Sequence, residues 1–208
     1  MTDRSSLFAL IRPWLDRDSF TPARISALDG FCDRIGLAPA PETPPAAAND
    51  TYDREKLYAE LIRDEGLRLQ VYRCTANKLT IGIGRNLDDN PLTAEEERHL
   101  GKTQLQVIRT GITREQAFWL KAREVEKGER ALDQHLPWWR RLNDTRQRVL
   151  LNMWFNLGTA GLLKFNNTLR LVEAGSYSAA ASNMLASLWA RQVGDRARRL
   201  SLMMKNGS

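Results

Sequence analysis

Residues 61–87 read LIRDEGLRLQVYRCTANKLTIGIGRNL. A helical period runs into this stretch over Asp53–Asp64, with Leu57, Leu61 and Ile62 on one side, and Gly66 is a natural stop. From Leu69 the pattern turns to alternation with β-branched residues, which predicts a small hairpin over residues 69–84. Within Leu79–Gly84 the odd positions are apolar and form a core face. The even positions, Thr80, Gly82 and Gly84, leave the other face nearly bare, so a ligand has access to the backbone there. On the partner strand Tyr72 and Cys74 share a face. A loop with an odd number of residues sets Cys74 across from Thr80, whereas an even loop sets it beside Leu79. Glu65 ends the preceding helix, where the negative end of the helix dipole disfavours a charged carboxylate. A general acid working near neutral pH needs such a setting.

Working outward, helical patterns return from Thr93 onward. Thr113–Gln134 reads as a long helix opened by a capping box of Thr113 and Gln116. Asp144–Leu157 is another, with Val149, Leu150, Met153 and Trp154 as its buried positions, followed by Phe165–Glu173, Ser178–Ala190 and Asp195–Lys205. The pair Trp138-Trp139 is expected to anchor a helix connection in the core. The fold class is therefore α+β and mainly α, with a small β-hairpin or sheet. Upstream, residues 37–50 read LAPAPETPPAAAND and hold four of the eight prolines, the composition of an extended linker. Before it, Arg4–Asp16 and Pro22–Ile35 carry amphipathic helical patterns. Three segments result: a helical accessory module over 1–36, a Pro/Ala linker over 37–50, and a main domain over 51–208.

The 208 residues are 42% hydrophobic and 27% charged, as expected of a soluble globular protein with one main domain. No stretch approaches the roughly 20 apolar residues of a membrane helix, and no secretory signal is read, so synthesis in a reducing cytoplasm is expected. Cys32 and Cys74 allow one bridge at most, a contact that would tie the N-terminal segment to the hairpin in an oxidising compartment. His99 and His135 lie far apart without ligand spacing, so neither a metal nor a cofactor is expected. Net charge is +6. Residues 1–50 carry 5 Lys+Arg against 7 Asp+Glu, and residues 51–208 carry 26 against 18, so the main domain holds +8. Such a body suits a polyanionic partner: nucleic acid, an anionic wall polymer or a lipid surface. The basic residues are scattered and form no run of five, which argues against a nucleic-acid tail.

The quoted stretch closely resembles the active-site segment of the phage-type lysozymes (endolysins), glycoside hydrolase family 24. That family's signature is Glu, eight residues, Asp or Cys, five residues, Thr, and here Glu65, Cys74 and Thr80 stand at those spacings. The flanking DEGLRL, VY and TIGIG agree too. Downstream, Arg148–Gly158, Phe165–Arg170, Trp189 and Asp195–Arg199 resemble later family blocks in the same order, so residues 52–205 are covered.

The resemblance implies a lysozyme-like domain that cleaves the β-1,4 bond between N-acetylmuramic acid and N-acetylglucosamine in peptidoglycan. Glu65 would protonate the leaving oxygen. Thr80 and Cys74 would hold and activate the attacking water, with inversion at the anomeric centre. Arg196 would keep Glu65 oriented, with Arg198 and Arg199 solvated. Asn86, Phe155, Thr168 and Asn183 would line the glycan cleft. Asn86 departs from the apolar residue often found there, and Arg85 replaces a histidine seen in some members. The same resemblance implies a monomer acting in host cell lysis: made in the host cytoplasm, it reaches the wall and periplasm through a separate holin. An anionic wall or outer-membrane surface is a further expected contact. The rival readings are a lysozyme-like module that binds peptidoglycan without cutting it, a lytic transglycosylase, and a DNA-binding helical protein.

Overall fold

The computed structural model describes residues 52–74 and 77–208, which belong to the unit of the chain running from Asp50 to Ser208. The N-terminal helical patterns, the linker and Cys32 lie outside the described residues.

The first helix, α1 (Arg54–Glu65), is capped by Asp53, whose carboxylate accepts from the Lys56 N–H at 3.0 Å. It ends at Gly66, whose φ of 77° only glycine adopts without strain. Three short antiparallel strands follow in the order β1 (Arg68–Arg73), β2 (Leu79–Gly82) and β3 (Arg85–Asn86). The sheet thus exceeds the expected hairpin by one strand, and Ile83-Gly84 form the turn into it.

Helices α2 (Ala94–Leu100), α3 (Gln104–Thr110) and α4 (Arg114–His135) each begin with a Thr capping box, the last being the expected Thr113/Gln116 pair. Next come α5 (Asp144–Leu163) and α6 (Asn166–Glu173). Gly158, at φ 67° and ψ 174°, breaks α5 where the sequence pattern stops at Leu157. The expected single helix over Ser178–Ala190 is two, α7 (Tyr177–Leu185) and α8 (Leu188–Val193). The reason is Ser187: its side chain accepts from the Ala190 N–H and starts a new helix inside an apolar run. The last helix is α9 (Asp195–Asn206).

The core has two parts. Ile81, Leu87, Leu100, Val107, Ile112, Ala117 and Leu120 pack the sheet against α2, α3 and the start of α4. The larger part gathers Leu57 and Leu61 of α1, Val125 and Leu132 of α4, Val149–Leu151 and Met153 of α5, and Leu200 and Met204 of α9. Helix α4 contributes to both, and so fixes the sheet relative to the helices. Trp138 and Trp139 are buried in the larger part, as their size predicts. The Trp139 indole N–H donates to Asp133, and an Arg140 hydrogen bond holds the Asp133 carboxyl below its ordinary range.

Helices α4 and α5 meet tightly at Gly128, where a Cβ would lie 2.8 Å from the Trp154 ring. Gly128→Ala should gain about 1 kcal/mol in helix propensity. Overpacking against Trp154 should cost about 1–3 kcal/mol, and the clash should win. Urea unfolding should show a lower midpoint at unchanged slope; a higher midpoint would mean that the seam yields freely.

Candidate active site

Glu65 is the last residue of α1, beside Asp64, and both carboxylates sit at the negative end of that helix. Their compensation comes from the first turns of α9. The Arg196 guanidinium donates from Nη1 to Glu65 Oε1 at 2.5 Å and from Nε to Asn152 Oδ1 at 2.9 Å. Its Nη2 donates to the Asn152 carbonyl at 3.1 Å, and Nε lies 3.4 Å from Asp64 Oδ2. Asp64 also receives Asn152 Nδ2 at 2.9 Å and Nη2 of Arg199. Arg196 therefore meets Glu65 as expected, while Arg199 is not solvated as expected but tied to Asp64. Of the three arginines only Arg198 is largely exposed, paired with Asp195 at the surface. The contact between Asp64 and Asn152 joins positions 88 residues apart, so nothing local in the sequence marks it.

Gly84 presses on Glu65 from the sheet side. A Cβ there would lie 3.0 Å from the Glu65 Cβ and 3.1 Å from its Oε2, at a φ of 71°. The bare glycine thus makes room for the Glu65 side chain. Gly82 faces Ala117 and Ile112 instead, so it serves packing and not access to the backbone.

The sheet register is Tyr72 opposite Thr80 and Thr80 opposite Asn86. Cys74 donates its N–H to the Lys78 carbonyl at 3.0 Å, and Asn77, at φ 58°, closes the turn onto the Cys74 carbonyl. Cys74 is therefore opposite Lys78 and not directly across from Thr80. The odd parity survives, so Cys74 and Thr80 share one face as diagonal neighbours with Tyr72 and Asn86. Burial pushes the Tyr72 hydroxyl up; Arg68 opposes this, and Glu65 and Cys74 add to it. One phenol thus feels both the helix-end acid and the hairpin thiol. Thr80 is buried and donates its hydroxyl to the Lys78 carbonyl at 3.1 Å, which leaves its oxygen lone pairs as acceptors.

A cleft of about 210 Å³ opens beside Glu65. Its walls include Gly84 and Asn86 from the sheet, Lys121 and Glu124 from α4, and Trp154 and Phe155 from α5. Asn86 and Phe155 thus reach the Glu65 cleft. A second opening of about 570 Å³, between the ends of α1 and α9, shares Glu65 with the first. Asn183 lines a separate opening of about 490 Å³ with Phe165 and Trp189. Thr168 is buried, and its hydroxyl donates to Asn183 Oδ1 at 2.6 Å, so it fixes Asn183 and does not itself face the cleft. Among the described residues no group of three or more His, Cys, Asp or Glu side chains is placed to hold a metal ion. None of the described helices is long and apolar enough to cross a membrane.

A family model described as phage lysozyme matches residues 63–203. The chain is 35% identical over 179 residues to the pre-baseplate central spike protein Gp5 of Enterobacteria phage T4, a match covering 81% of this chain and 31% of that protein. The chain thus spans about a third of that relative's length. Two proteins of Dictyostelium discoideum, probable T4-type lysozymes 1 and 2, are 25% and 26% identical over 154 residues, covering 70% of this chain and 91% of each of them.

Removing the Arg196 cation takes from Glu65 the guanidinium that holds it, while Asp64 keeps Arg199 and Asn152. Arg196→Met should cost about 1–3 kcal/mol of stability, as losing charge-assisted hydrogen bonds at a part-buried site does. Arg196→Lys should recover part of it, since it keeps the charge and loses the planar fork onto Asn152. Urea unfolding of the three proteins measures this, and equal midpoints for wild type and Arg196→Met would contradict it.

Proposed function

The chain belongs to the phage lysozyme family, and from that membership we propose that it is a muramidase, hydrolysing the β-1,4 bond between N-acetylmuramic acid and N-acetylglucosamine in peptidoglycan. The observation that carries this reading is Glu65, held by Arg196 on the wall of a cleft that also includes Phe155 and Asn86. In the proposed reaction Glu65 gives its proton to the leaving glycosidic oxygen. Arg196 holds the carboxyl in place before substrate enters.

On the sheet side, Thr80 accepts a hydrogen bond from the attacking water, its own proton being committed to Lys78. Cys74, on the same face, takes the position of the second catalytic group. Water attack opposite the leaving group inverts the anomeric centre, and the proton that the water loses passes to the Cys74 thiolate or, if the thiol only orients the water, to solvent. Asn86 and Phe155 hold the sugar beside Glu65, and Asn183, oriented by Thr168, extends the contact along the glycan.

A bacterial host wall attacked during cell lysis, with a holin giving access to it, is the setting we propose for the reaction. The similarity to a phage spike protein supports a second setting, in which such a domain is carried on the virion. Fractionation separates them: the chain copurifies with virions in the second and stays in the soluble lysate in the first.

Glu65→Gln should abolish clearing in a peptidoglycan zymogram, with a turnover loss of several orders of magnitude. Near-normal clearing by that variant would end the reading. Cys74→Ala should lose most activity and Cys74→Asp should keep it. A thiol that acts as the base makes the rate depend on the thiolate, so exchanging it for a carboxylate in Cys74→Asp should change the pH dependence of the rate. A thiol that only orients water leaves the pH dependence of Cys74→Asp like that of wild type. Full activity of Cys74→Ala across pH would remove both roles.

A further inference from the structure

Helix α4 buries three charged side chains, Lys121, Glu124 and Glu129, along a core stripe where the period calls for apolar residues, and the first two lie beside the Glu65 cleft. Lys121 is 3% exposed and Glu124 8%. Lys121 Nζ donates to Glu124 Oε2 at 2.6 Å. The other oxygen of Glu124 receives Arg85 Nη1 at 3.0 Å, and Arg85 Nη2 reaches Glu96 Oε2 at 3.0 Å. Two cations and two anions thus form a neutral buried chain from α2 through β3 to α4. A lysine so far from water needs strong compensation, and Glu124 provides only part of it. The rest is an aromatic face: Nζ lies 4.5 Å from the centroid of the Phe155 ring. Lys121, Glu124 and Phe155 all line the cleft that holds Glu65.

We propose that Lys121 is the positioning residue for Phe155, and that its ammonium, pinned by Glu124 and Arg85, sets the ring against which the sugar packs. This rests on the muramidase reading and deepens it. The ion pair explains why a buried charge persists on a core stripe: an apolar side chain there would strand Glu124 with Arg85 alone and release the ring. A local rule broken beside a site, with its compensation in that site, points to a functional cause. Because the ring would contact substrate before and during bond cleavage alike, the effect falls on KM more than on kcat.

Steady-state kinetics on soluble, uncrosslinked glycan chains bearing their stem peptides test this, with the full chain and its variants. Lys121→Met should raise KM by about 3- to 30-fold, the range that loss of a cation–π contact spans. Lys121→Arg, which keeps a cation on the ring face, should stay within about threefold of wild type. If Lys121→Met does not fold, Lys121→Gln, which keeps a hydrogen bond to Glu124 and loses the charge, carries the same expectation. In a Phe155→Leu background the Lys121 substitution should add nothing further to KM. An unchanged KM in the folded Met or Gln variant would overturn the proposal, as would an equal rise in the Arg variant or an additive effect with Phe155→Leu. Absence of cleavage by wild type would instead remove the muramidase reading.

Discussion

Asp64 and Glu65 stand at the negative end of α1, and Arg196 and Arg199 stand in the first turns of α9, at its positive end. Each pair sits where its own helix dipole disfavours it. Brought together they offset one another, and Asn152 of α5 donates to Asp64 and accepts twice from Arg196. The same contacts that join three helices therefore leave one carboxyl, Glu65, fixed at the edge of a cleft. These partners also explain how so much charge is tolerated with little water, the Arg199 Nε being the one buried donor of the cluster left without a hydrogen bond among the described residues.

The sheet answers the helix end. Gly84 lets the Glu65 side chain lie against the turn, and the register puts Tyr72, Thr80 and Asn86 in a row with Cys74 on the same face. Behind that face Arg85 reaches back to Glu96 and Glu124, so the turn carrying Gly84 is anchored to α2 and α4. Since α4 packs in both parts of the core, the two sides of the cleft share one support.

Much of this was legible in the sequence where the signals are local. Gly66, the Thr113/Gln116 box and the stop before Gly158 each mark a boundary through backbone chemistry within a few residues. The motif spacing from Glu65 to Thr80 places the acid at a helix end and the other two groups on one strand face. The misses arise from longer-range facts. A turn that closes at Lys78 sets Cys74 opposite Lys78 and Thr80 opposite Tyr72, a register that the sequence pattern leaves open. Arg199 looked solvated until Asp64, 135 positions away, was brought beside it. Thr168 read as a cleft residue, and only packing shows that its hydroxyl serves Asn183. Lys121 gave no signal, because a lone lysine in a helix ordinarily reads as surface.

The central claim is that Glu65 and a water positioned from the sheet face together hydrolyse the glycan. Mass spectrometry of the sugar ends released from purified peptidoglycan in oxygen-labelled water tests it most directly. Hydrolysis predicts reducing N-acetylmuramic acid ends that carry one labelled oxygen. Anhydro-muramic ends without label would contradict it, because the sugar's own hydroxyl, and not a water held by Thr80 and Cys74, would then have displaced the leaving group.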